Sequence, residues 1–266
     1  MSARALPVKM VEKVWGRERL PAPFAAPDGK RIGEIWFEPP PQLPGLLAKY
    51  LFTSEKLSVQ VHPSDAQAPA GERGKDECWL VLDAEPGARL AMGFEAPVSP
   101  EAMRAAALDG SIVDLLTWHP VRAGDFFYLP AGTVHAIGPG VSLVEIQQNS
   151  DVTYRLYDYG RPRELHLEQA IAVASGEPHD PRHRRAVGIG GAATLVEGPH
   201  FRLDRLDGAP DAETAARYAG PLLVMPLEGT VLLGRETVAA GGCGLALALA
   251  DIDFADCRTS LIAQPV

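Results

Sequence analysis

Gln60 and His62 are the first residues of the chain whose types and spacing could do chemistry together. They lie in Leu57-Ser58-Val59-Gln60-Val61-His62-Pro63, where alternation predicts a strand whose successive side chains face opposite sides. Leu57, Val59 and Val61 are then expected in one layer, with Ser58, Gln60 and His62 lining the other. An amide oxygen and an imidazole two residues apart on one face make two ligand arms on a stiff backbone. Glu77 follows fifteen residues after His62 and shares a strand face with Trp79, while Cys78 points to the other face as inert core. Lys75, two residues before Glu77, brings a cation to the ligand face. His135 completes the set: Gly124-Asp125 opens a strand, Pro130 and Gly132 end it sharply, and the turn aims the imidazole that follows. Two imidazoles, a carboxylate and an amide oxygen suit one divalent metal, Zn2+ foremost, with Mn2+, Fe2+ or Co2+ as other candidates. His119, His166, His179, His183 and His200 have no comparable setting and read as surface or packing residues.

The elements that must position these residues are mostly strands. The 26 glycines and 24 prolines are spread along the chain, as suits many short strands joined by turns. Strand patterns fall at 33–38, 46–52, 57–62, 77–82, 126–129 and 141–147, with a Gly-, Asp- and Ala-rich loop at 63–74. Ser99-Pro100 followed by Glu101-Ala102-Met103-Arg104-Ala105-Ala106-Ala107-Leu108 predicts a small helical insertion near 100–117. A second helix is expected within 163–176. After about 180 a linker rich in Pro, Arg and His leads to further short strands. There, 238–246 echoes 121–129, and Ile252 falls where His135 falls in the first unit.

The bulk numbers bound the partners. A chain of 266 residues with 46% hydrophobic and 22% charged residues is an ordinary soluble composition. A net charge of −9 argues against nucleic acid, which needs a basic surface. It leaves room for a small phosphorylated ligand held by a local cation cluster. Three cysteines, Cys78, Cys243 and Cys257, are too few and scattered for a disulfide framework, as expected of a cytoplasmic protein. Residues 1–10 lack an apolar core of signal-peptide length, and the apolar run 245–250 is too short to span a bilayer and reads as a strand.

The Gly124-Asp125 to His135 segment resembles the second motif of the cupin superfamily. Gln60 stands where the usual first cupin motif has a histidine, and Glu77 follows at a longer gap. Those departures, Gln60-x-His62-Pro63 and Lys75-x-Glu77 with a late histidine, resemble the type I mannose-6-phosphate isomerases. Leu46-Leu47-Ala48-Lys49, Gly74-Lys75-Asp76-Glu77-Cys78-Trp79 and Glu145 through Ser150-Asp151 to Arg155 are similar to further segments of that family. The likeness covers roughly 11–170; beyond 180 only a degraded second cupin unit is family-like. It implies a mainly β fold of two cupin-like jelly-roll β-barrel lobes with a small helical insertion. Residues 1–180 would form the catalytic metal-binding domain and 185–266 a degenerate metal-free lobe. It also implies an aldose–ketose isomerase interconverting mannose 6-phosphate and fructose 6-phosphate through a cis-enediol. Gln60, His62, Glu77 and His135 would hold the metal, with catalytic roles for Arg155, Lys75 and Glu145, and with Ser58 and Lys49 towards the phosphate. The residues do not identify the base. The alternatives are a non-catalytic sugar-phosphate-binding cupin or another cupin enzyme, an oxygenase or epimerase. Gln60 and the Lys-x-Glu spacing count against the latter, and the intact ligand set against the former.

Overall fold

Apolar side chains at both odd and even positions of Leu46–Phe52, Glu77–Ala84 and Val141–Gln148 require strands covered on both faces. In the computed structural model, which describes residues 2–266, these three strands form the middle of a seven-stranded antiparallel sheet. Its order is Arg184–Ala186, Asp125–Leu129, Glu77–Ala84, Val141–Gln148, Leu46–Phe52, Ile32–Phe37, Val8–Arg17. A five-stranded sheet faces it, ordered Tyr154–Tyr157, Val59–Val61, His135–Ile137, Arg89–Phe94, Leu116–Pro120. Leu51, Trp79, Val81 and Leu143 from the larger sheet pack between the two against Leu90, Met92 and Ile137 from the smaller.

On its other face the seven-stranded sheet turns Tyr50, Phe52, Cys78, Leu80, Val144 and Ile146 towards Leu203, Leu223, Leu245 and Leu261 of a third, C-terminal sheet. Leu222–Leu233 and Cys257–Pro265 are central in that sheet. Two short strands cross between the units. Arg4–Ala5 pairs with Gly244–Ala246, and Arg184–Ala186 pairs with Asp125–Leu129.

The mainly β architecture follows the expectation, and so does the helical insertion. Pro100–Asp109 begins where Ser99 Oγ accepts a hydrogen bond from Ala102 N at 3.2 Å. It ends at Gly110, whose φ of 86° is left-handed and favours glycine. With Ile112–Leu115 and Leu167–Val173, it covers the outer face of the five-stranded sheet, burying Met103, Ala106 and Ala170 against Val59, Val61 and Ala136. Leu57 departs from its expected layer. The regular strand starts only at Val59, so the two-residue period does not reach back. Leu57 instead packs on the inner side with Trp79 and Leu143, while Val59 and Val61 lie under the helices. The 245–250 run also stops short as a strand, at Ala246, because Asp251 Oδ2 accepts from Ala248 N at 2.9 Å and closes a turn. Among the described residues no helix is long and apolar enough to cross a membrane.

Tyr50 stands amid Phe24, Phe37 and Phe52 in the core beneath the third sheet, and its hydroxyl reaches no protein partner. Burial, reinforced by nearby Cys243, pushes its ionisation far above the usual phenol range. A buried hydroxyl without a partner opposes folding, so Tyr50→Phe is expected to hold or raise stability, by up to about 1 kcal/mol. Chemical denaturation of both proteins checks this; a clear loss would mean that the hydroxyl is satisfied in solution.

Candidate metal centre and cleft

Two facing sheets bring the polar residues together by register. Across the five-stranded sheet, His135 lies opposite Gln60, and Gln60 opposite Arg155. Across the seven-stranded sheet one row reads Trp36, Lys49, Glu145, Trp79, Phe127. Residues paired across neighbouring strands share a face, so each row enters the space between the sheets as a block. Glu77, two residues from Trp79, enters with the second row.

His62, Glu77 and His135 meet there, all buried, as a group able to hold a metal. His62 Nδ1 lies 2.9 Å from the Val152 carbonyl and His135 Nδ1 2.9 Å from the Thr133 carbonyl. A carbonyl can only accept, so each ring carries its proton on Nδ1 and presents a lone pair at Nε2. Burial, with the Lys75 charge and His135 adding to it, holds His62 well below the usual histidine pKa. Burial likewise lowers His135 despite the nearby Glu77 carboxylate. Both rings are therefore neutral at neutral pH. Their lone pairs face the carboxylate of Glu77, with His62 Nε2 3.5 Å from Oε2 and His135 Nε2 3.4 Å from Oε1. Neither His62 Nε2 nor Glu77 Oε1 accepts a hydrogen bond. Converging buried lone pairs repel one another unless a cation lies among them. Ligand atoms about 2.1 Å from a tetrahedral ion stand about 3.4 Å apart, the spacing found here. The donor set and its spacing fit a divalent metal.

Gln60 completes one side. Its Nε2 lies 3.2 Å from His135 Nε2, and its Oε1 accepts from Ser58 Oγ at 3.0 Å. A half-turn of the amide exchanges the two atoms, presenting oxygen to the metal group and NH2 to Ser58, whose hydroxyl can accept it.

Above this group lies a cationic layer. Lys75 Nζ is 2.8 Å from Glu77 Oε2 and 3.7 Å from Glu145 Oε1, and Lys49 Nζ is 3.2 Å from the same Glu145 oxygen. Trp79 Nε1 donates to Glu145 Oε2 at 3.2 Å, and Lys49 sits 4.6 Å over the Trp36 ring. Burial disfavours charge on Lys75, but Glu145 and Glu77 outweigh it and raise its pKa. Burial also disfavours charge on Glu77; the Lys75 charge, then His135 and Lys49, prevail and hold it below the usual carboxylate value.

These residues open into a cleft of about 300 Å³ lined by five cations, Lys13, Lys49, Lys75, Arg155 and Arg163, against three carboxylates, Glu34, Glu145 and Asp151. Arg155 is half-buried; its Nη1 donates to the Glu164 carbonyl at 3.2 Å, and burial, with Arg163 nearby, lowers its pKa. Arg163 is held at the rim by both oxygens of buried Asp158, at 2.6 and 2.7 Å. All nine residues singled out from the sequence, the four candidate ligands with Ser58, Lys49, Lys75, Glu145 and Arg155, lie in the metal group or line this cleft. Lys13, Glu34, Trp36, Asp151, Thr153 and Arg163 were not singled out. Asp151 and Thr153 lie within the 145–155 segment, whereas Lys13 and Glu34, 3.5 Å apart, come from the paired strands Val8–Arg17 and Ile32–Phe37 at the edge of the sheet.

No family model matches the chain. A mannose-6-phosphate isomerase of Streptococcus mutans is 43% identical over 206 residues, 73% of this chain and 63% of that protein. A probable mannose-6-phosphate isomerase of Bacillus subtilis is 34% identical over 246 residues, covering 88% of this chain and 71% of its own. The chain belongs to the mannose-6-phosphate isomerase family. A solved mannose 6-phosphate isomerase from Bacillus subtilis superposes with a TM-score of 0.75 at 25% identity, over 99% of this chain and 100% of that one. The isomerase-like chain nonetheless spans only 63% and 62% of the length of the first two curated relatives it matches.

In this isomerase-family site Lys75 is the cation closest to Glu77. Lys75→Met leaves the buried Glu77 carboxylate without it, and is expected to destabilise metal-free protein by about 3–5 kcal/mol. Denaturation in the presence of a chelator reads this; a cost under about 1 kcal/mol would mean that Glu77 is not charged in the metal-free fold.

Proposed function

We propose that the chain is a metal-dependent aldose–ketose isomerase that interconverts mannose 6-phosphate and fructose 6-phosphate through a cis-enediol. The observation that carries this is the convergence of two neutral imidazole lone pairs on a buried carboxylate, at the floor of a cleft rich in cations. When bound at His62, Glu77, His135 and Gln60, a divalent metal, Zn2+ by its donor set, supplies Lewis-acid polarisation and a template for the sugar oxygens. Residues 1–180 carry this site, and 185–266 act as a metal-free brace behind the seven-stranded sheet. A cytoplasmic setting belongs to the same reading, in keeping with three free, buried cysteines.

Lys49 and Ser58 on the cleft wall receive the phosphate ester. Arg155 stays protonated and is a poor base; its guanidinium holds charge against the enediolate oxygens. Glu145 has its oxygens engaged by Lys49 and Trp79, and so serves to fix both lysines. Asp151 is exposed at the cleft and makes no hydrogen bond or ion pair among the described residues, so it is free to take the carbon-bound proton.

The assay is interconversion of the two sugar phosphates by purified, chelated and metal-reconstituted protein. Activity is expected to vanish on chelation and return with Zn2+, without oxygen consumption. Calorimetric binding of the sugar phosphate without turnover would favour a non-catalytic binder instead. His62→Ala and His135→Ala should each lose metal on elemental analysis while staying folded; full occupancy in both would overturn the ligand set.

Arg155→Lys separates two roles. A charge felt only by the enediolate acts in the transition state, so kcat and kcat/KM should fall together, by roughly 10²–10³. A raised KM with kcat intact would make Arg155 a phosphate clamp. Asp151→Asn should lower kcat by a comparable factor with metal content unchanged; undiminished kcat would remove Asp151 as the base.

A further inference from the structure

The turn at 130–133 is bonded beside every member of the His62–Glu77–His135 group. Thr133 O accepts from His135 Nδ1 at 2.9 Å, and Gly132 N donates to His62 O at 2.8 Å. Ala131 N donates to Asp76 Oδ1 at 2.9 Å, and Asp76 is the residue before Glu77. Three consecutive residues of one turn thus register three ligands that come from three different strands or strand ends. The third link alone runs through the side chain of a residue outside the group, Asp76.

Asp76 is buried and belongs to the face opposite Glu77. Its Oδ2 accepts from Tyr128 Oη, its N–H donates to Gln148 Oε1 at 2.8 Å, and its carbonyl accepts from Gln148 N at 3.0 Å. Gln148 Nε2 donates in turn to Asp65, whose Oδ1 also accepts from Gly74 N at 2.7 Å. The C-terminal unit reaches this network twice. The Tyr128 ring packs edge-on against Phe201, and the His200 imidazole stands between Asp65, at 3.7 Å, and Asp76, at 4.0 Å. None of these groups lines the cleft.

We propose that Asp76 is a positioning residue of the metal centre, and that the C-terminal lobe sets metal affinity through Tyr128 and His200. This rests on the reading of His62, Glu77 and His135 as metal ligands. A ligand set holds its metal only when its members stay within about 0.5 Å of the binding geometry. Freeing the turn from Asp76 lets the His135 side drift relative to Glu77. Loss of such an outer partner weakens metal binding by about 10- to 100-fold.

The test uses the full chain and measures Zn2+ affinity by competition with a chromophoric chelator, beside the thermal stability of metal-free protein. Asp76→Ala is expected to weaken Zn2+ binding by about 10- to 100-fold. Asp76→Asn keeps an oxygen for the Ala131 N–H and should recover most of that loss, which a purely structural role would not require. Tyr128→Phe and His200→Ala, milder changes that should preserve the fold, are expected to weaken binding several-fold. Wild-type affinity in folded Asp76→Ala overturns the proposal. If that variant does not fold, wild-type affinity in both Tyr128→Phe and His200→Ala overturns it. Wild-type protein that captures no Zn2+ would instead overturn the ligand assignment, and this inference with it.

Discussion

The structure is organised around a repulsion. Two imidazole lone pairs and a carboxylate converge at 3.4–3.5 Å in a space closed to solvent, where unscreened like partial charges repel strongly. A fold would ordinarily relieve this by protonating a histidine or letting one side chain swing away. Neither escape is open. Each Nδ1 is committed to a backbone carbonyl, at Val152 or Thr133, and burial disfavours a second ring proton. Lys75 already meets one oxygen of Glu77, at 2.8 Å, and a divalent ion held among the three residues would balance the lone pairs that remain.

Holding such a group demands stiffness from its surroundings, and the layered sheets provide it. Val141–Gln148 is buried along its whole length because a sheet covers each face. Its inward side carries Glu145, and its outward side packs Val144 and Ile146 against the C-terminal lobe. The C-terminal lobe is therefore part of what holds the site's sheet in place. Remove it, and the apolar back of the sheet that presents Glu77, Glu145 and Lys49 would face water. Buried polar atoms without partners are costly, and His62 Nε2 and Glu77 Oε1 are two of them at the candidate metal group.

The strands, and the faces on which the candidate ligands lie, were legible in the sequence because both rest on period two, which carries face information over a few residues. Gln60 and His62, Glu77 and Trp79, and the Gly132 turn before His135 all lie within that range. Leu57 was misplaced for the same reason: the period holds only inside a regular strand, and the ladder begins at Val59. What short-range pattern cannot carry is which distant elements meet. Lys13 and Glu34 reach the cleft because their hairpin forms its wall, and nothing in their local sequence separates them from a solvated edge. Arg163 could be recognised only once buried Asp158 was seen to pin it. The end of the strand at Ala246 turned on one side-chain bond, from Ala248 N to Asp251, that an apolar run conceals.

Net charge misleads in a related way. A chain at −9 has the same sign of charge as a phosphate ester, yet five cations against three carboxylates line the cleft. The two scales do not compete on equal terms. At physiological ionic strength fields between exposed charges decay over about 8 Å, so most surface carboxylates are muted at the cleft. Lys49 and Lys75 lie buried beside it, where screening is weaker and a local charge acts at close range. The glutamates that pair with them fix the positions of both ammonium groups, so the same carboxylates that subtract from the local charge also order it. An anion entering the cleft meets cations already desolvated and oriented, and the reorganisation that would otherwise oppose its binding has been completed by the fold.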